Sequence, residues 1–559
     1  MSRGGAARRA VLVVAFGVLI VALSLVAAYS SSTYIPASTA SSTLTLALPG
    51  PFSGCPALSS TLNESTRAVL DLTRPSAFQT TYDGQLVGEG GAIVSAELIS
   101  LSPETVVYTL NNHLSWSNGR AFGPSDLVAW WQRAKGFPGL VGQGYRDIRT
   151  MEVARSRTQV TAIFRASSPF TDWNLLFRDV EQTSSSEGCQ PSLLQTRPSL
   201  GPYRVLSASA SRVVLVANSS WPLNYNRFQR VVVEAADTTH AVGSFYVGFS
   251  PGVTNADLGA LAAHNRYASS FVASPSVLEL AFSPVAPLVA PLEIRAGLSW
   301  AINRQRVLSR IDLTGGAATA TVPTSALYSV LSPLYPLPEL GPAIDVHHPN
   351  LTGSSLDCVA CAARVLSRGG WIRVGGHWSW GGATVVLRVA VGPSEMDHRA
   401  SQVLSDAWNR LGVGVRWVAY SSENAAARAV ATGHVDAGVY TRPLGSSPWS
   451  VLSSFVPVGG VIAYPTGVTS PVLTSTLRQV ATDFNPQSAA TSWEQFDQWL
   501  QHQFWIRPLA TPPALTLWSG RVGNVQPASS LVGLVDQVAN WGVAPPHSVP
   551  TTTTTVRTS

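Results

Sequence analysis

One segment of the sequence has the spacing of a hydrolase nucleophile. Gly248-Phe249-Ser250-Pro251-Gly252 matches the Gly-x-Ser-x-Gly pattern, in which a sharp turn exposes a serine hydroxyl. Such sites use the backbone N–H of the residue after the serine to bind the oxyanion, and Pro251 has no N–H. No triad or pair of carboxylates accompanies the serine. We therefore interpret the segment as an ordinary strand-to-helix loop and predict a protein that is not an enzyme.

The four cysteines are the next candidates for chemistry: Cys55, Cys189, Cys358 and Cys361. An even count in an exported chain indicates disulfides, with Cys358 closing locally on Cys361 and Cys55 left for Cys189. A redox Cys-x-x-Cys pair and a zinc site that includes His347 and His348 remain alternatives. The loop before Cys358 does not fit a redox pair, which would follow a strand. The histidine-first order does not fit a zinc motif. We predict structural cysteines, no metal and no cofactor.

The N-terminal segment predicts export. Met1 to Arg9 is short and positively charged, and residues 10–28 are uncharged and apolar. Residues 1–28 therefore form a signal peptide, cleaved after Ala28, or an uncleaved membrane anchor. The arginines stay in the cytoplasm in either case, which places the rest on the extracytoplasmic face of the membrane. No cysteine follows the apolar run closely, which argues against a lipid anchor.

Composition indicates a large folded chain. Of 559 residues, 45% are hydrophobic and 12% are charged, which suits two or three globular domains. The net charge of +6 is spread thinly and forms no basic run, so nucleic acid is not an expected partner. Residues 29–43 are interpreted as a linker and 546–559 as a disordered tail.

Strand and helix patterns alternate along the chain, which favours an α/β fold. Runs rich in β-branched residues predict strands at 105–111, 159–166, 212–218 and 384–391. Amphipathic runs with start signals predict helices at 126–133, 292–311, 357–368 and 398–411.

Residues 108–133, YTLNNHLSWSNGRAFGPSDLVAWWQR, resemble the signature of the family 5 extracellular solute-binding proteins, which bind peptides, dipeptides or nickel. In that family a strand leads through Trp-Ser-Asp-Gly to a helix opened by an aspartate. Here the turn is Trp116-Ser117-Asn118-Gly119, and Asp126 begins the helix. Asn-Gly suits the positive φ of a tight turn, and Asp126 or Ser125 can cap free N–H groups.

Four later segments resemble the same family in the same order. They are the Gly-Pro-Tyr strand at 199–222, the helix with Asn303 and Arg304 at 294–308, the helix ending in Gly-Gly-Trp at 356–371, and the helix and strand at 400–417. The resemblance covers nearly all of 44–535. Segments 75–87, 144–153 and 167–177 are also similar to an actinobacterial branch that includes a lipoprotein implicated in assembling envelope lipoglycans.

The resemblance implies a two-lobed, periplasmic-binding-protein-like α/β fold (type II, class C) with crossing strands between the lobes. Lobe one would comprise 44–282, with 61–199 as an inserted subdomain, and would be completed by 500–545. Lobe two would comprise 283–499. Ligand would bind between the lobes, which would close over it.

The resemblance also implies where ligand contacts lie. In peptide binders an acidic residue after a lobe-two strand meets the ligand's amino group. Here Asp436 fits the strand, but the residues after it offer Arg442 and no acid. Arg442 is therefore a candidate for an anionic group, and Tyr440 and Trp449 are candidates for stacking. A solvated or structural arginine and packed aromatic residues are the competing interpretations.

The function implied is the extracytoplasmic substrate-binding component of a peptide-type ABC transporter. Its partners would be an oligopeptide or envelope-derived small ligand and a membrane permease. The alternative is a degenerate binding protein that acts as a regulator or scaffold in envelope biosynthesis, because the amine-binding acid is missing and the family's helix aspartate is Asn303.

Overall fold

The computed structural model describes residues 43–59, 62–182, 188–221, 228–236, 246–254, 257, 267–312, 321–329, 331, 359–445, 447–455 and 471–543. The expected signal peptide or anchor, the linker up to residue 42, the tail, His347, His348 and Cys358 lie outside these ranges. Among the helices that the structure describes, none is long and apolar enough to cross a membrane.

The described part of the chain alternates strands and helices. The strands, numbered in chain order, are β1 (Thr43–Leu48), β2 (Phe78–Thr80), β3 (Leu86–Gly88), β4 (Ile93–Leu101), β5 (Glu104–Leu110), β6 (Ile148–Val153), β7 (Gln159–Phe164), β8 (Tyr203–Ala208), β9 (Arg212–Ala217), β10 (Arg230–Ala235), β11 (Tyr246–Ser250), β12 (Tyr267–Ala273), β13 (Ser276–Phe282), β14 (Ile372–Val374), β15 (His377–Trp380), β16 (Ala383–Thr384), β17 (Val386–Val391), β18 (Gly414–Ala419), β19 (Ala437–Pro443), β20 (Ile506–Ala510), β21 (Pro513–Ser519), β22 (Val522–Gly523) and β23 (Gly542–Val543).

The helices are α1 (Glu64–Asp71), α2 (Pro124–Ala134), α3 (Gly139–Asp147), α4 (Leu193–Thr196), α5 (Leu292–Trp300), α6 (Arg304–Ile311), α7 (Val359–Arg368), α8 (Glu395–Leu411), α9 (Glu423–Ala431), α10 (Pro448–Phe455), α11 (Pro471–Ala481), α12 (Pro486–His502) and α13 (Leu531–Val535).

Two large sheets organise the molecule. The first has seven strands in the order β12-β21-β11-β1-β10-β9-β8, and β1 runs parallel to both β10 and β11. The second has five strands in the order β18-β17-β19-β13-β20, and β17 runs parallel to both β18 and β19. Because the carboxyl ends of parallel strands share one edge of a sheet, each sheet offers one edge suited to ligand binding.

The two sheets are connected by a pair of adjacent crossings. Strand β12 leads directly into β13, and β20 leads directly into β21; β12 pairs with β21 in the first sheet, and β13 with β20 in the second. Between them, Ser274 donates its backbone N–H (3.1 Å) and its Oγ–H (2.8 Å) to the carbonyl of Pro512. This connection corresponds to the crossing strands that the resemblance implies.

A four-stranded antiparallel sheet, β4-β5-β7-β6, lies within the predicted insert. Its buried side chains, with Trp130 and Trp131 of α2, belong to the same apolar cluster as those of the first sheet. The second sheet has its own cluster, to which helices α5 to α8 contribute. Apolar side chains of α10 to α12 pack into the first cluster. The lobe boundaries themselves stay a prediction.

Local signals in the sequence explain several of these elements. Gly119 has a φ of 84°, as the Asn-Gly turn predicts. The Asp126 carboxylate accepts from the N–H of Gly123 at the start of α2 (3.0 Å). The prediction of one helix over 292–311 is wrong, because the chain breaks after α5 and Asn303 caps α6 by accepting from the Arg306 N–H (3.0 Å).

The structure joins Cys55 to Cys189 by a disulfide across 134 residues of sequence. Cys361 is also disulfide-bonded. Its neighbour in the predicted local pair, Cys358, is outside the described residues.

We expect protein purified without reductant to show no reactive thiol at Cys55, Cys189 or Cys361. Alkylation followed by peptide mass spectrometry should recover a Cys55 peptide linked to a Cys189 peptide. A reduced and denatured sample, in which all four thiols react, is the control. Four reactive thiols in the native, unreduced protein would instead restore a redox or metal role for Cys358 and Cys361.

Candidate ligand-binding cleft

The first wall of the candidate cleft lies at the carboxyl ends of β1, β10 and β11. Residues at the ends of these three adjacent strands line a pocket of about 250 Å³. Its lining is mainly small or apolar, with Pro49, Ala235, Ala236 and Phe249 among the residues that form it. Such a surface suits the uncharged part of a small ligand, because ligand pockets are predominantly apolar with a few placed polar groups.

The second wall lies at the carboxyl ends of β17 and β19. The two walls approach each other where Gly252 faces Met396, since a Cβ at Gly252 would lie 2.5 Å from the Met396 Cε. Behind Met396, the carboxyl groups of Asp397 and Glu423 are hydrogen-bonded to each other. We call these two residues the acid pair.

The acid pair holds a shared proton at neutral pH. Burial, followed by the charge of Asp397, raises the pKa of Glu423 to about 9, and burial also raises the pKa of Asp397. Thr441 donates its N–H to Glu423 (3.2 Å) and its Oγ–H to Asp397 (3.0 Å). Asp397 is fully buried, whereas Glu423 is partly exposed. Because the shared proton lies between the two carboxyl groups, the pair offers hydrogen-bond acceptors at the edge of the sheet.

Ser250 of the Gly-x-Ser-x-Gly segment stabilises a loop. Its Oγ lies within donating distance of the Gly252 carbonyl (2.6 Å) and of the Asp257 carboxylate (3.2 Å). Asp257 also accepts from the N–H and hydroxyl of Thr254, both at 2.8 Å. The carboxylate therefore fixes the chain after β11, and the serine forms part of the first wall of the cleft.

Arg442, predicted as a ligand contact, lies in the protein interior. Its side chain is fully buried and forms an ion pair with Glu279 of β13, with Nη2 2.9 Å and Nε 3.0 Å from the same carboxylate oxygen. Its Nη2 also donates to the carbonyl of Ala326 (2.8 Å). The guanidinium charge is thereby balanced inside the protein.

Tyr440 and Trp449, the other two predicted contacts, are also buried. Tyr440 lies opposite Glu279 in the β13–β19 ladder and is hydrogen-bonded to its carboxylate. The Trp449 ring packs against Phe170, with centroids 5.6 Å apart. The structure thus brings Tyr440 and Arg442 together on Glu279 and directs Trp449 to the segment that follows β7.

Asp172 binds the start of α10. Its carboxylate accepts from the Ser447 hydroxyl, from the Ser450 N–H (3.3 Å) and from the Trp449 N–H. Nearby, the Thr171 hydroxyl donates to the carbonyl of Ala481 (2.7 Å). Burial raises the pKa of Asp172 to about 6. This contact ties the segment after β7 to helices α10 and α11.

Sequence reasoning missed four acids: Asp172, Glu279, Asp397 and Glu423. Glu279 had a visible signal, since it is the one charged residue in the apolar run SVLELAF. A lone charge in a buried strand requires a partner. Asp397 and Glu423 each follow a serine at the beginning of a helix, where an acid is ordinarily a capping residue, and nothing local indicates that they meet.

Residues 94–456 match the family described as bacterial extracellular solute-binding proteins, family 5 Middle. The match covers more than half of the chain, and the chain belongs to this family. The oligopeptide-binding protein OppA of Mycobacterium tuberculosis (strain ATCC 25618 / H37Rv) is 25% identical over 170 residues, which are 28% of this chain and 29% of that protein. The chain thus matches less than a third of the length of that relative.

Solved structures agree on the fold. The periplasmic EDTA-binding protein EppA superposes with a TM-score of 0.77 at 17% identity, covering 92% of this chain and 100% of that one. NikA from Brucella suis in complex with Fe(III)-EDTA gives 0.69 at 14% identity, covering 90% and 100%. AppA from Bacillus subtilis in complex with a nonapeptide gives 0.66 at 12% identity, covering 90% and 99%. The predicted two-lobed binding-protein fold and non-enzymatic class are confirmed.

Proposed function

We propose that this protein is the extracytoplasmic substrate-binding component of a peptide-type ABC transporter. One observation carries the proposal: the two sheets present their carboxyl-end edges to each other, with an apolar pocket on one edge and the acid pair on the other. This arrangement suits a ligand enclosed between two walls. Ligand binding would stabilise the closed arrangement, which a membrane permease would then recognise.

We infer that the ligand is a small oligopeptide or an envelope-derived molecule of similar size. The first wall accommodates an uncharged part, and the acid pair offers a hydrogen-bond acceptor for a polar group. Oligopeptide binding by the relative OppA and the nonapeptide bound to AppA support this class. We propose that Tyr440, Arg442 and Trp449 contribute by holding the segment after β19, which borders the cleft.

The alternative function is regulation or scaffolding of envelope biosynthesis by a binding protein that no longer transports. It is favoured by one observation, because the residues that follow Asp436 supply no acid to the cleft and Arg442 is bound internally by Glu279. The other departure from the family, Asn303, does not favour it, since Asn303 caps α6.

We expect native mass spectrometry of the exported domain to detect a bound small molecule in the wild type and none in Ala236→Trp. The indole would fill the pocket at the end of β10, where Ala236 lies half-buried. Ala383→Trp, at an exposed position of β16, is the matched control and should retain the molecule. If a mixed short-peptide library binds neither the wild type nor the control in calorimetry, and no molecule co-purifies, the scaffold function is favoured instead.

A further inference from the structure

Strands β14, β15 and β16 form a small antiparallel sheet beside the second large sheet. Trp378 holds the inner side of this small sheet to the protein, because its ring is buried and its indole N–H donates to the Leu411 carbonyl (2.8 Å). Trp371 is also buried and lies against the Trp378 ring, with centroids 6.2 Å apart. Side chains alternate along a strand, so the residues next to these two tryptophans point outward.

The outward side of the small sheet carries a group of exposed apolar residues. Val374 lies opposite His377, and continuing the register of β15 with β16 places Val386 on the other side of His377. Ile372 lies two residues before Val374 and therefore on the same side. Ile372, Val374 and Val386 are 67%, 62% and 49% exposed, and the first two are the most exposed large apolar side chains in the described part of the chain. Neighbouring exposed apolar residues of this kind indicate an interaction surface.

The sequence around these residues is positively charged. Residues 358–394 contain four arginines and no acid, and residues 407–422 contain two arginines and no acid. Acids approach the two segments from other elements: Asp436 lies at the start of β19, and a Cβ at Gly369 would lie 3.1 Å from the Cβ of Glu293 in α5. Positive charge is therefore concentrated in the two segments, and it can attract an anionic partner.

Three of these arginines border the apolar residues. Arg388 follows Val386 by two residues on the same side of β17, and the parallel register places Arg416 of β18 beside it. Arg373 is exposed on β14, an edge strand of the small sheet. Arg388 lies 3.4 Å from the Asp436 carboxylate, whereas Arg373 and Arg416 form no ion pair within the described part of the chain. The surface formed by Ile372, Val374, Val386, Arg373 and Arg416 is called the hairpin face below.

The hairpin face is open and lies away from the cleft. It adjoins the amino end of β17, whereas the second wall of the cleft lies at the carboxyl end of that strand. A Cβ at any of the four turn glycines of the small sheet would meet no described atom within 4 Å; they are Gly375, Gly376, Gly381 and Gly382. Trp380, which is 41% exposed, adjoins the second of these turns. A flat partner can therefore approach the face while the cleft is in use.

We propose that the hairpin face binds the anionic surface of a phospholipid membrane. Its two arginines would pair with lipid phosphate groups, and its three apolar side chains would enter the boundary between headgroups and acyl chains. Trp380 suits the same boundary, because an indole combines an apolar ring with a polar N–H. The positive charge argues against a second copy of the chain as the partner, since two such faces would repel each other. The family is extracellular, so the membrane surface concerned is the extracytoplasmic one.

Sedimentation with phospholipid vesicles tests the proposal. The protein from residue 29 onward is used, because it contains every described residue and omits the apolar run 10–28, which could bind a bilayer by itself. We expect vesicles of equal parts phosphatidylglycerol and phosphatidylcholine to bind at least about tenfold more tightly than vesicles of phosphatidylcholine alone. Raising the salt concentration from about 10 mM to about 150 mM shortens the Debye length from about 30 Å to about 8 Å, and should weaken this binding at least about tenfold.

The charge of the face is tested by the double variant Arg373→Gln/Arg416→Gln. It should weaken binding to the anionic vesicles at least about tenfold, because both lipid-facing charges are removed. Arg149→Gln/Arg155→Gln is the matched control, since it removes the same charge from two exposed positions in and after β6. The control should bind within about twofold of the wild type, because only charges near the membrane contribute strongly.

The apolar side chains of the face are tested by Ile372→Ser/Val374→Ser. This variant should weaken binding to the anionic vesicles at least about fivefold, because less apolar surface enters the bilayer boundary. Ile99→Ser, at a position of β4 that is 60% exposed, is the matched control and should bind as the wild type does. All substituted positions are exposed, so the urea midpoints of the variants should equal that of the wild type.

The remaining outcomes separate this proposal from others. Ala236→Trp, which fills the cleft pocket, should bind vesicles as the wild type does, so failure here is distinguishable from failure of the proposed function. Equal binding to neutral and anionic vesicles, no binding to either, or binding that both double variants retain would overturn the proposal. Self-association in analytical ultracentrifugation that Ile372→Ser/Val374→Ser abolishes would also overturn it, because a second copy would then cover the face.

Discussion

Replacing Arg442 by methionine should lower the free energy of unfolding by about 3–5 kcal/mol. The substitution leaves the Glu279 carboxylate inside the protein without its cation, while both side chains are fully buried in the native structure. Burial already raises the pKa of Glu279 against the opposing effect of Arg442, which indicates how unfavourable the unpaired anion would be. Urea denaturation followed by tryptophan fluorescence provides the measurement.

Two controls identify the cause of that loss. Arg306→Met removes an arginine that is half exposed and 3.7 Å from Asp406, so it should cost at most about 1 kcal/mol. The double variant Glu279→Leu/Arg442→Met removes both charges and should recover more than half of the loss, because apolar pairs often replace buried ion pairs without penalty. A single variant as stable as the Arg306 control would show that the guanidinium is solvated, and Arg442 would again be a candidate for direct ligand contact.

Replacing Asp172 by asparagine should change how stability depends on pH. With a pKa of about 6 in the folded protein against an ordinary value of 3.8, native Asp172 binds more protons than the unfolded chain does in this interval. The wild type should therefore lose stability relative to Asp172→Asn as the pH rises from about 4 to about 6, by at most about 1.4 kcal/mol per pH unit. Urea midpoints of both proteins across this range provide the test.

Ser447→Ala is the matched control for the Asp172 experiment. It removes one hydrogen bond that lowers the pKa of Asp172 but leaves the carboxyl group buried, so it should keep the loss of stability with rising pH and extend that loss to a higher pH than in the wild type. Asp172→Ala should in addition cost about 1–3 kcal/mol at neutral pH, because the Ser450 and Trp449 N–H groups lose their acceptor. Parallel pH curves for the wild type and Asp172→Asn would mean that solvent reaches the carboxylate.

Features of this protein that depend on local interactions are predicted from the sequence, whereas features that depend on distant contacts are not. The Asn118-Gly119 turn and the strand at 159–164 follow from local preferences and appear where predicted. The break between α5 and α6 was missed, because Asn303 looks like a continuing helix residue until its side chain is seen to accept from Arg306. At this position the hydrophobic periodicity predicts one continuous helix, whereas a cap at Asn303 predicts a new helix. The structure has the new helix.

The candidate site was harder to predict for a physical reason. Arg442 was identified, but its partner Glu279 lies 163 residues earlier and meets it only through the antiparallel register of β13 and β19. Hydrophobic periodicity predicts strands without specifying their neighbours. The sequence therefore identifies the arginine, whereas the sheet order is needed to identify Glu279 as its partner.

The crossing of β20 into β21 also determines when the molecule can finish folding. Strand β21 lies between β11 and β12, so the first sheet remains interrupted until residues 513–519 pair with both strands. Contacts between residues this distant in sequence form slowly, because a long loop must close before the contacts can stabilise the fold. Until β21 joins the sheet, β11 and β12 each keep an unpaired strand edge, and such edges favour aggregation. A chain truncated before Pro513 should never leave that state.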